Sequence, residues 1–295
     1  MREHNIEVKK ARADADVLIV TTAVELSRSG PTLVLAEDTD VLILLCYHAC
    51  NLEPGILIMT SGHRSKRAPW DIGSIINKLG AEICQILPFI HAIGGCDTTS
   101  RLYGIGKGLI LKKALLSSQL RQLGHVFTKS SATKSEIAAA GEKVLVLIYG
   151  GKADERLNIL RCRKWSEKVM TSSSPIQVQS LPPTEDAAKY HSYRVYHQVQ
   201  VWTNVATELN PEHWGWQLSN QKYVAKTMDR PPAPESLLKV IRCSCKGDCN
   251  SKQCSCRKHG LACAAGCGEC RGISCTNSET VISDDFEDVD DSFNF

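Results

Sequence analysis

The first sixty residues show two kinds of apolar pattern. The stretch ARADADVLIVTTAVELSRSG (11–30) is typical of a helix that ends at Gly30. TLVLA (32–36) and GILIMT (55–60) are short apolar runs of the length expected for buried strands. Between them, DTDVLILLCYHA (38–49) is apolar without a clear period, so its pattern assigns it no element.

Helical patterns dominate the chain after residue 70. The predicted helical stretches are DIGSIINKLG (71–80), EICQILPFIHAIG (82–94), LILKKALLSSQLRQL (109–123), SEIAAAGEKVLVLIYG (135–150), DERLNILRCRKW (154–165) and AAKYHSYRVYHQVQVW (187–202). Because strands alternate with helices at the start, we expect an α/β fold with a mainly parallel sheet, followed by helical segments and a small cysteine-rich module.

Two polar, proline-containing linkers interrupt these patterns. They are TSSSPIQVQSLPPTED (171–186) and RPPAPES (230–236). The acidic end of the chain is typical of a solvated disordered tail, although it could also screen a basic module. We therefore predict four parts: an α/β domain at 1–120, a helical extension at 121–229, a cysteine module at 237–277 and an acidic tail at 278–295.

Composition narrows the class of protein. The chain has 295 residues, 43% of them hydrophobic, and a net charge of +3, which alone does not indicate nucleic acid. No apolar run resembles a secretory signal or is long enough to span a bilayer, so we expect an intracellular protein with reduced thiols. Nine of the fourteen cysteines lie between Cys243 and Cys275 and therefore require an explanation other than disulfides.

Five aspartates lie beside apolar runs. Asp14 and Asp16 fall in the first predicted helix, Asp38 and Asp40 follow the first strand, and Asp97 ends an apolar segment. Acids that converge need cations, and oxygen ligands favour Mg²⁺ or Mn²⁺. Because Asp14 and Asp16 are two positions apart, a helix would point their side chains in nearly opposite directions, and both could not face one point squarely. The alternative is that each acid is a helix-terminal or solvated surface residue.

The order of these motifs resembles a nuclease family. Acids in D-A-D, then E-D-T-D after a strand, then G-C-D leading into G-I-G, are similar to the XPG/flap-endonuclease branch of PIN-like nucleases. The resemblance implies a PIN-like fold over about the first 120 residues. It also implies that the five aspartates hold catalytic metal ions. By the same resemblance, a backbone-gripping turn binds DNA through Gly104, Ile105, Gly106 and Lys107.

Two features depart from that family. Arg12 places a cation where a further acid would be expected. The family also carries aspartates on an N-terminal strand and before a helical arch, whereas only 13 residues precede Asp14. We therefore expect a truncated chain or an incomplete site, with Mg²⁺-dependent, structure-specific nuclease activity only if the missing acids are supplied. HAIGGCDTTS and PEHWGWQL also resemble transposon-associated animal proteins that join a PIN-like region to a cysteine-rich tail.

The cysteine-rich segment has the spacing C-x-C-x3-C-x4-C-x-C-x6-C-x3-C-x2-C-x4-C. An odd count and two C-x-C pairs favour metal thiolate chemistry, and nine thiolates supply three tetrahedral zinc ions if three sulfurs are shared. A disordered thiol-rich tail and separate single-zinc fingers remain alternatives. Few apolar residues are present, so we expect the segment to fold only with metal. The predicted ligands are Cys243, Cys245, Cys249, Cys254, Cys256, Cys263, Cys267, Cys270 and Cys275.

This spacing resembles the tesmin-type CXC domain, whose paired modules bind DNA. Gln253 replaces the tyrosine that the family inserts into the minor groove, and one module is present instead of two. Basic residues around the cysteines could contact phosphates, or could offset the charge of the thiolates. The predicted contacts are Lys246, Lys252, Arg257 and Lys258.

Together these patterns predict a nuclear, zinc-containing protein that binds nucleic acid, with DNA as the expected partner, through a CXC module and a degenerate or truncated nuclease-like domain. One alternative is a non-enzymatic DNA-binding or chromatin-associated protein in which the α/β part is a scaffold. Another is a zinc-scaffolded protein-interaction module with no affinity for DNA.

Overall fold

A computed structural model of the chain provides the coordinates. It describes residues 7–11, 14–52, 55–61, 68–152, 154–171, 177–203, 209–229, 243–246, 248–258, 261–264, 267–273 and 275–278. Arg12 and the acidic tail from residue 279 lie outside the described residues, as does the whole of the second linker.

The chain divides into two compact units, one covering Met1–Thr227 and the other Met228–Ser292. The helical region after residue 120 therefore belongs to the same unit as the residues before it. Within the described residues, no helix has both the length and the apolar character needed to cross a membrane.

Helices make up most of the first unit. They are α1 (Asp16–Ser27), α2 (Thr39–Ala49), α3 (Ile72–Leu79), α4 (Ala81–Cys84), α5 (Leu87–Gly94), α6 (Lys107–Leu116), α7 (Ser118–Thr128), α8 (Lys134–Ile148), α9 (Leu157–Thr171) and α10 (Glu185–Thr203). Short 3-10 turns cover Val178–Ser180 and Pro211–His213. The strands are β1 (Thr32–Leu35), β2 (Leu57–Thr60), β3 (Trp70–Asp71), β4 (Trp216–Ser219) and β5 (Lys222–Ala225).

Both predicted strands are present, but the mainly parallel sheet is not shown by the described residues. β1 and β2 pair in parallel from Thr32 opposite Leu57 to Leu35 opposite Thr60. The two-residue β3 then pairs antiparallel with β2. The sheet stays small because the apolar stretch after β1 forms α2, and regular structure from α3 to α10 is helical apart from one 3-10 turn.

The stretch 38–49 forms a helix although its sequence shows no helical hydrophobic period, and its burial explains why. α2 is buried around most of its circumference, and a helix buried on all sides carries no polar stripe. Its buried residues are Val41, Leu42, Ile43, Leu44, Leu45, Cys46 and Ala49. The helix begins after Asp38, whose side chain accepts a hydrogen bond from the Asp40 amide and caps the first turn.

Two predicted helices are each divided in the structure. The stretch 82–94 forms α4 and α5, because the second helix starts anew with Pro88 in its first turn, where a missing N–H costs nothing. The stretch 109–123 is divided at Ser117, whose hydroxyl accepts from the Leu120 amide at 3.2 Å and caps α7. β4 and β5 form an antiparallel hairpin that the sequence patterns did not indicate.

The core of the first unit lies around α10. This helix packs mainly on α8 and α5, with α7 beside them. Val195, Tyr196, Val199 and Trp202 are all nearly inaccessible to solvent. In the second unit, the buried cluster consists of cysteine side chains, with the short helix α11 (Ser255–Lys258) among them.

Candidate metal-binding sites

The five predicted aspartates lie together in the first unit. They line one cavity of about 260 Å³, although they come from three separate segments of the chain. Four other side chains complete its wall. The lining residues are Asp14, Asp16, Asp38, Asp40, Cys96, Asp97, Thr98, Gln198 and Trp202. We call this cavity the aspartate pocket.

Asp14 and Asp16 reach the same pocket because only one of them is helical. α1 begins at Asp16, so Asp14 precedes the helix and the rotation expected between two helical positions does not apply. The Asp16 amide lies 3.4 Å from Oδ1 of Asp14. The prediction that both acids lie in the first helix was therefore wrong, and the helical rotation expected to separate them does not apply.

The second pair sits at the start of α2. Asp38 Oδ1 accepts from the Asp40 amide at 2.9 Å, and Asp40 lies in the first turn. The positive end of the helix dipole favours carboxylates at this position. Asp40 Oδ1 also lies 2.6 Å from Nε2 of His91, a buried residue of α5.

A short loop after α5 carries Asp97, and hydrogen bonds hold it in place. The loop turns at Gly95, whose φ of +110° favours glycine; a Cβ there would lie 2.7 Å from Cα of Arg101. Thr99 Oγ1 donates to the Ala92 carbonyl, and Thr98 Oγ1 donates to Oε1 of Gln198, both at 2.7 Å. The loop is thus fixed from α5 on one side and α10 on the other.

The carboxylates of the pocket repel one another. Partial burial raises the pKa of Asp16 to about 6, and the charges of Asp14, Asp38, Asp40 and Asp97 add to that shift. The pocket is wider than the cysteine sites described below: in the described residues, the ligand groups found within 4.8 Å of one another are made of cysteines.

The predicted DNA-gripping turn lies beside this region. Gly104 is exposed with a φ of +69°, Ile105 packs on the core, and Gly106 precedes α6 as its N-cap. Lys107 begins α6, and its Nζ lies 3.0 Å from Nε2 of His91. His91, Gln198 and Trp202 were missed by sequence reasoning, because an isolated histidine or glutamine in an apolar helix carries no motif.

The second unit gathers the nine predicted zinc ligands in one cluster, and seven of them, all but Cys267 and Cys275, form groups that could hold a metal ion. Eight of the nine cysteines are buried, Cys245 is half-buried, and all nine are free thiols. Three sets of four have their sulfur atoms within 4.8 Å of one another, and Cys243 belongs to each set. The sets are Cys243, Cys249, Cys263 and Cys270; Cys243, Cys254, Cys256 and Cys263; and Cys243, Cys245, Cys249 and Cys254.

The sulfur separations fit zinc. A tetrahedral ion with Zn–S bonds of about 2.3 Å places its sulfurs about 3.8 Å apart. Cys243 Sγ lies 3.8 Å from Sγ of Cys249, and 3.7 Å from Sγ of both Cys263 and Cys270. Cys254 and Cys263 are also 3.7 Å apart. The cysteine cluster is therefore suited to zinc.

Local electrostatics distinguish the thiols. A hydrogen bond from the Arg257 backbone lowers the pKa of Cys254 to about 6, and one from the Gly272 backbone lowers that of Cys270 to about 7. Burial and neighbouring thiols instead raise the pKa of Cys249 and Cys263. The nine cysteines therefore cannot all be thiolates at neutral pH unless cations are present. Bound zinc ions would supply the positive charge that stabilises the thiolates.

The predicted basic contacts around the cluster differ from one another. Lys246, Lys252 and Lys258 are exposed. Arg257 is half-buried: its Nε donates to the Cys249 carbonyl at 2.7 Å and its Nη2 to the Thr276 carbonyl at 3.0 Å. This guanidinium ties the cysteine loops together, so the three exposed lysines are the better candidates for a ligand surface.

The chain shows a partial similarity to a known protein. No protein-family model and no solved structure matches the chain. A stretch of 57 residues is 40% identical to the chromosome-associated kinesin KIF4 of Gallus gallus, covering 17% of this chain and 5% of that protein. The chain therefore spans a small fraction of that relative, and the similarity to PIN-like nucleases rests on the motifs alone.

Proposed function

We propose that the chain is a zinc-containing nucleic-acid-binding protein whose first unit carries a nuclease-like site for divalent metal ions. The observation that supports this most is the convergence of five aspartates, chosen from the order of three sequence motifs, on one pocket. Acids that lie close together repel one another, and a bound cation would compensate their charge. DNA is the proposed partner, and a nuclear location would follow from it.

The donor set of the aspartate pocket suits Mg²⁺ or Mn²⁺. Carboxylate oxygens are the ligands that these hard cations prefer. Partial burial and the charges of the other four aspartates raise the pKa of Asp16, and a bound cation would relieve that repulsion. Asp14, Asp16, Asp38, Asp40 and Asp97 would hold the ions. When bound, such ions activate water and stabilise the leaving oxygen in phosphodiester cleavage.

The chain's own residues would then orient the substrate. The exposed turn at Gly104 and the start of α6 present backbone amides, which bind phosphate groups well. Gln198 and Thr98 hold the Asp97 loop, so the acid nearest to this turn in the chain is kept in position.

The second unit would supply affinity for nucleic acid. We propose three zinc ions sharing sulfurs, since Cys243 belongs to three overlapping tetrads. The exposed Lys246, Lys252 and Lys258 would contact phosphates in a salt-dependent manner. The description of the kinesin as chromosome-associated agrees with the alternative that the chain binds chromatin without cleaving it.

A cleavage assay tests the nuclease proposal. The zinc-loaded chain is incubated with flap and single-stranded DNA, with Mg²⁺ or Mn²⁺ and without either. If the pocket cleaves DNA, the cleavage requires the metal ion, Asp38→Asn and Asp97→Asn abolish it, and Asp154→Asn, at an exposed position outside the pocket, retains it. Binding of DNA without cleavage by the wild type would favour the chromatin-associated alternative. Cleavage that survives both pocket variants would show that the site lies elsewhere.

A further inference from the structure

His91 is held in one tautomer beneath the aspartate pocket. Its side chain is 1% exposed, its Nε2 lies 2.6 Å from Asp40 Oδ1, and its Nδ1 has no hydrogen-bond partner in the described residues. A hydrogen on Nδ1 would leave a buried donor unsatisfied and turn the Nε2 lone pair towards a carboxylate oxygen. The hydrogen therefore belongs on Nε2, which donates to Asp40.

Lys107 is placed against the same pair. Its Nζ lies 3.0 Å from His91 Nε2, the atom that also contacts Asp40, so the ammonium and the carboxylate are close neighbours. Nε2 cannot both donate to Asp40 and accept from Lys107, so with the hydrogen on Nε2 the ammonium lies near this atom without a hydrogen bond to it. The negative charge of Asp40, on the other side of the same nitrogen, is then the attraction that favours an ammonium here.

Packing fixes both side chains. The stem of Lys107 lies against the end of α5, where a Cβ on Gly94 would be 3.1 Å from Lys107 Cγ. The His91 ring meets the edge of the Trp202 ring, with centroids 5.8 Å apart, and Trp202 lines the pocket. The His91 ring cannot reorient without disturbing Trp202 in the wall of the pocket.

We propose that His91 and Lys107 are positioning residues for the aspartate pocket: His91 orients the Asp40 carboxylate, and Lys107 is an internal cation that balances its charge. The meaning of this pair for metal binding rests on the proposed function. The two residues act in opposite directions on a bound ion, because loss of an orienting donor weakens a carboxylate ligand, whereas loss of a nearby positive charge strengthens it.

A double-mutant cycle tests the pair without any metal in the pocket. Thermal unfolding is followed in buffer that retains zinc and contains no Mg²⁺ or Mn²⁺, for Lys107→Met, Asp40→Asn and the double variant. We expect Lys107→Met to lower the melting temperature in the wild-type background and to have a smaller effect in the Asp40→Asn background, where the carboxylate charge next to His91 is gone. An equal loss in both backgrounds would overturn the assignment of Lys107.

A Mn²⁺ titration monitored by electron paramagnetic resonance tests how His91 and Lys107 affect metal binding. His91→Leu should weaken Mn²⁺ binding about tenfold and His91→Gln, which keeps an N–H donor, should restore most of it. Lys107→Met should tighten binding about threefold, Lys107→Arg should match the wild type, and Lys112→Met, an exposed lysine of the same helix, should change nothing.

The outcomes separate the two proposals. The metal pocket is refuted if the wild type binds no Mn²⁺, or if Asp97→Asn binds Mn²⁺ as tightly as the wild type does. In that case the double-mutant cycle still tests the contact of Lys107 with Asp40. Weaker binding with Lys107→Met would refute the charge-balancing role. Failure of His91→Gln to bind better than His91→Leu would refute the orienting role.

Discussion

The Nε2 atom of His191 lies 3.1 Å from the carbonyl oxygen of Ile93, and this contact joins the middle of α10 to the end of α5. Ile93 lies four positions before Asp97, in the segment that leads to the Asp97 loop. Gln198, two turns further along α10, accepts from Thr98 on the other side of that loop. The long helix thus supports an acid of the pocket from almost 100 residues away.

The buried His191 makes the first unit sensitive to acid. Burial lowers the pKa of His191 from 6.5 to about 4. Between those values the unfolded chain binds more protons than the folded chain, so the stabilising contribution is complete above pH 6.5 and is lost as the pH falls towards 4. Between pH 7 and pH 4, the free energy of unfolding should fall by less in His191→Gln than in the wild type, and the difference should be on the order of 3 kcal/mol. Urea titrations at each pH measure it.

Two other histidines affect the same measurement. Burial also lowers the pKa of His48 and His197, so the wild-type slope contains their contributions as well. The exposed His213 offers a control for the substitution itself: His213→Gln should change the stability at pH 7 by little. If His191→Gln and the wild type lose stability in parallel, protonation of this ring is not what destabilises the chain in acid.

Titration of Asp16 changes the stability with pH in the opposite direction to that of His191. Its pKa is raised from 3.8 to about 6, so the folded chain binds more protons than the unfolded chain in that interval and stability falls as the pH rises through it. Asp16→Asn should therefore raise the melting temperature at pH 7 in zinc-containing buffer without Mg²⁺ or Mn²⁺. The gain should be smaller at pH 4.5, and Mn²⁺ should stabilise the wild type more than the variant. A lower melting temperature for Asp16→Asn at pH 7 would contradict the repulsion inferred for the pocket.

Gly95 and Gly104 form a matched pair for the loop that carries Asp97. Both have positive φ, but a Cβ at Gly95 would meet Cα of Arg101 at 2.7 Å, whereas nothing lies within 4 Å of one at Gly104. Gly104→Ala should cost about 1 kcal/mol, and Gly95→Ala should cost more than about 2 kcal/mol. Gly95→Ala should also weaken Mn²⁺ binding, because it displaces the loop two residues before Asp97. Equal losses in urea titrations would show that the close approach to Arg101 is relieved at little cost.

The sequence patterns and the structure agree most where local chemistry decides. The strands β1 and β2, and the three segments that carry the aspartates, could be predicted because turn and cap residues mark their ends. The helix α2 could not, since burial on nearly all sides removed its periodicity. His91 and Gln198 could not be predicted as parts of the site either, because their partners lie 51 and 100 positions away in the chain and only packing brings them together.

The central position of Cys243 leads to the last prediction. Because its sulfur belongs to three tetrads, Cys243→Ser should release more zinc than the loss of a cysteine that belongs to one, such as Cys245→Ser. Elemental analysis of the wild type should give about three zinc ions per chain if sulfurs are shared among tetrahedral ions. Cys162→Ser, at an exposed thiol of the first unit, should keep the full complement. A wild-type value near one would exclude the three-zinc cluster, and equal zinc loss from Cys243→Ser and Cys245→Ser would indicate separate sites.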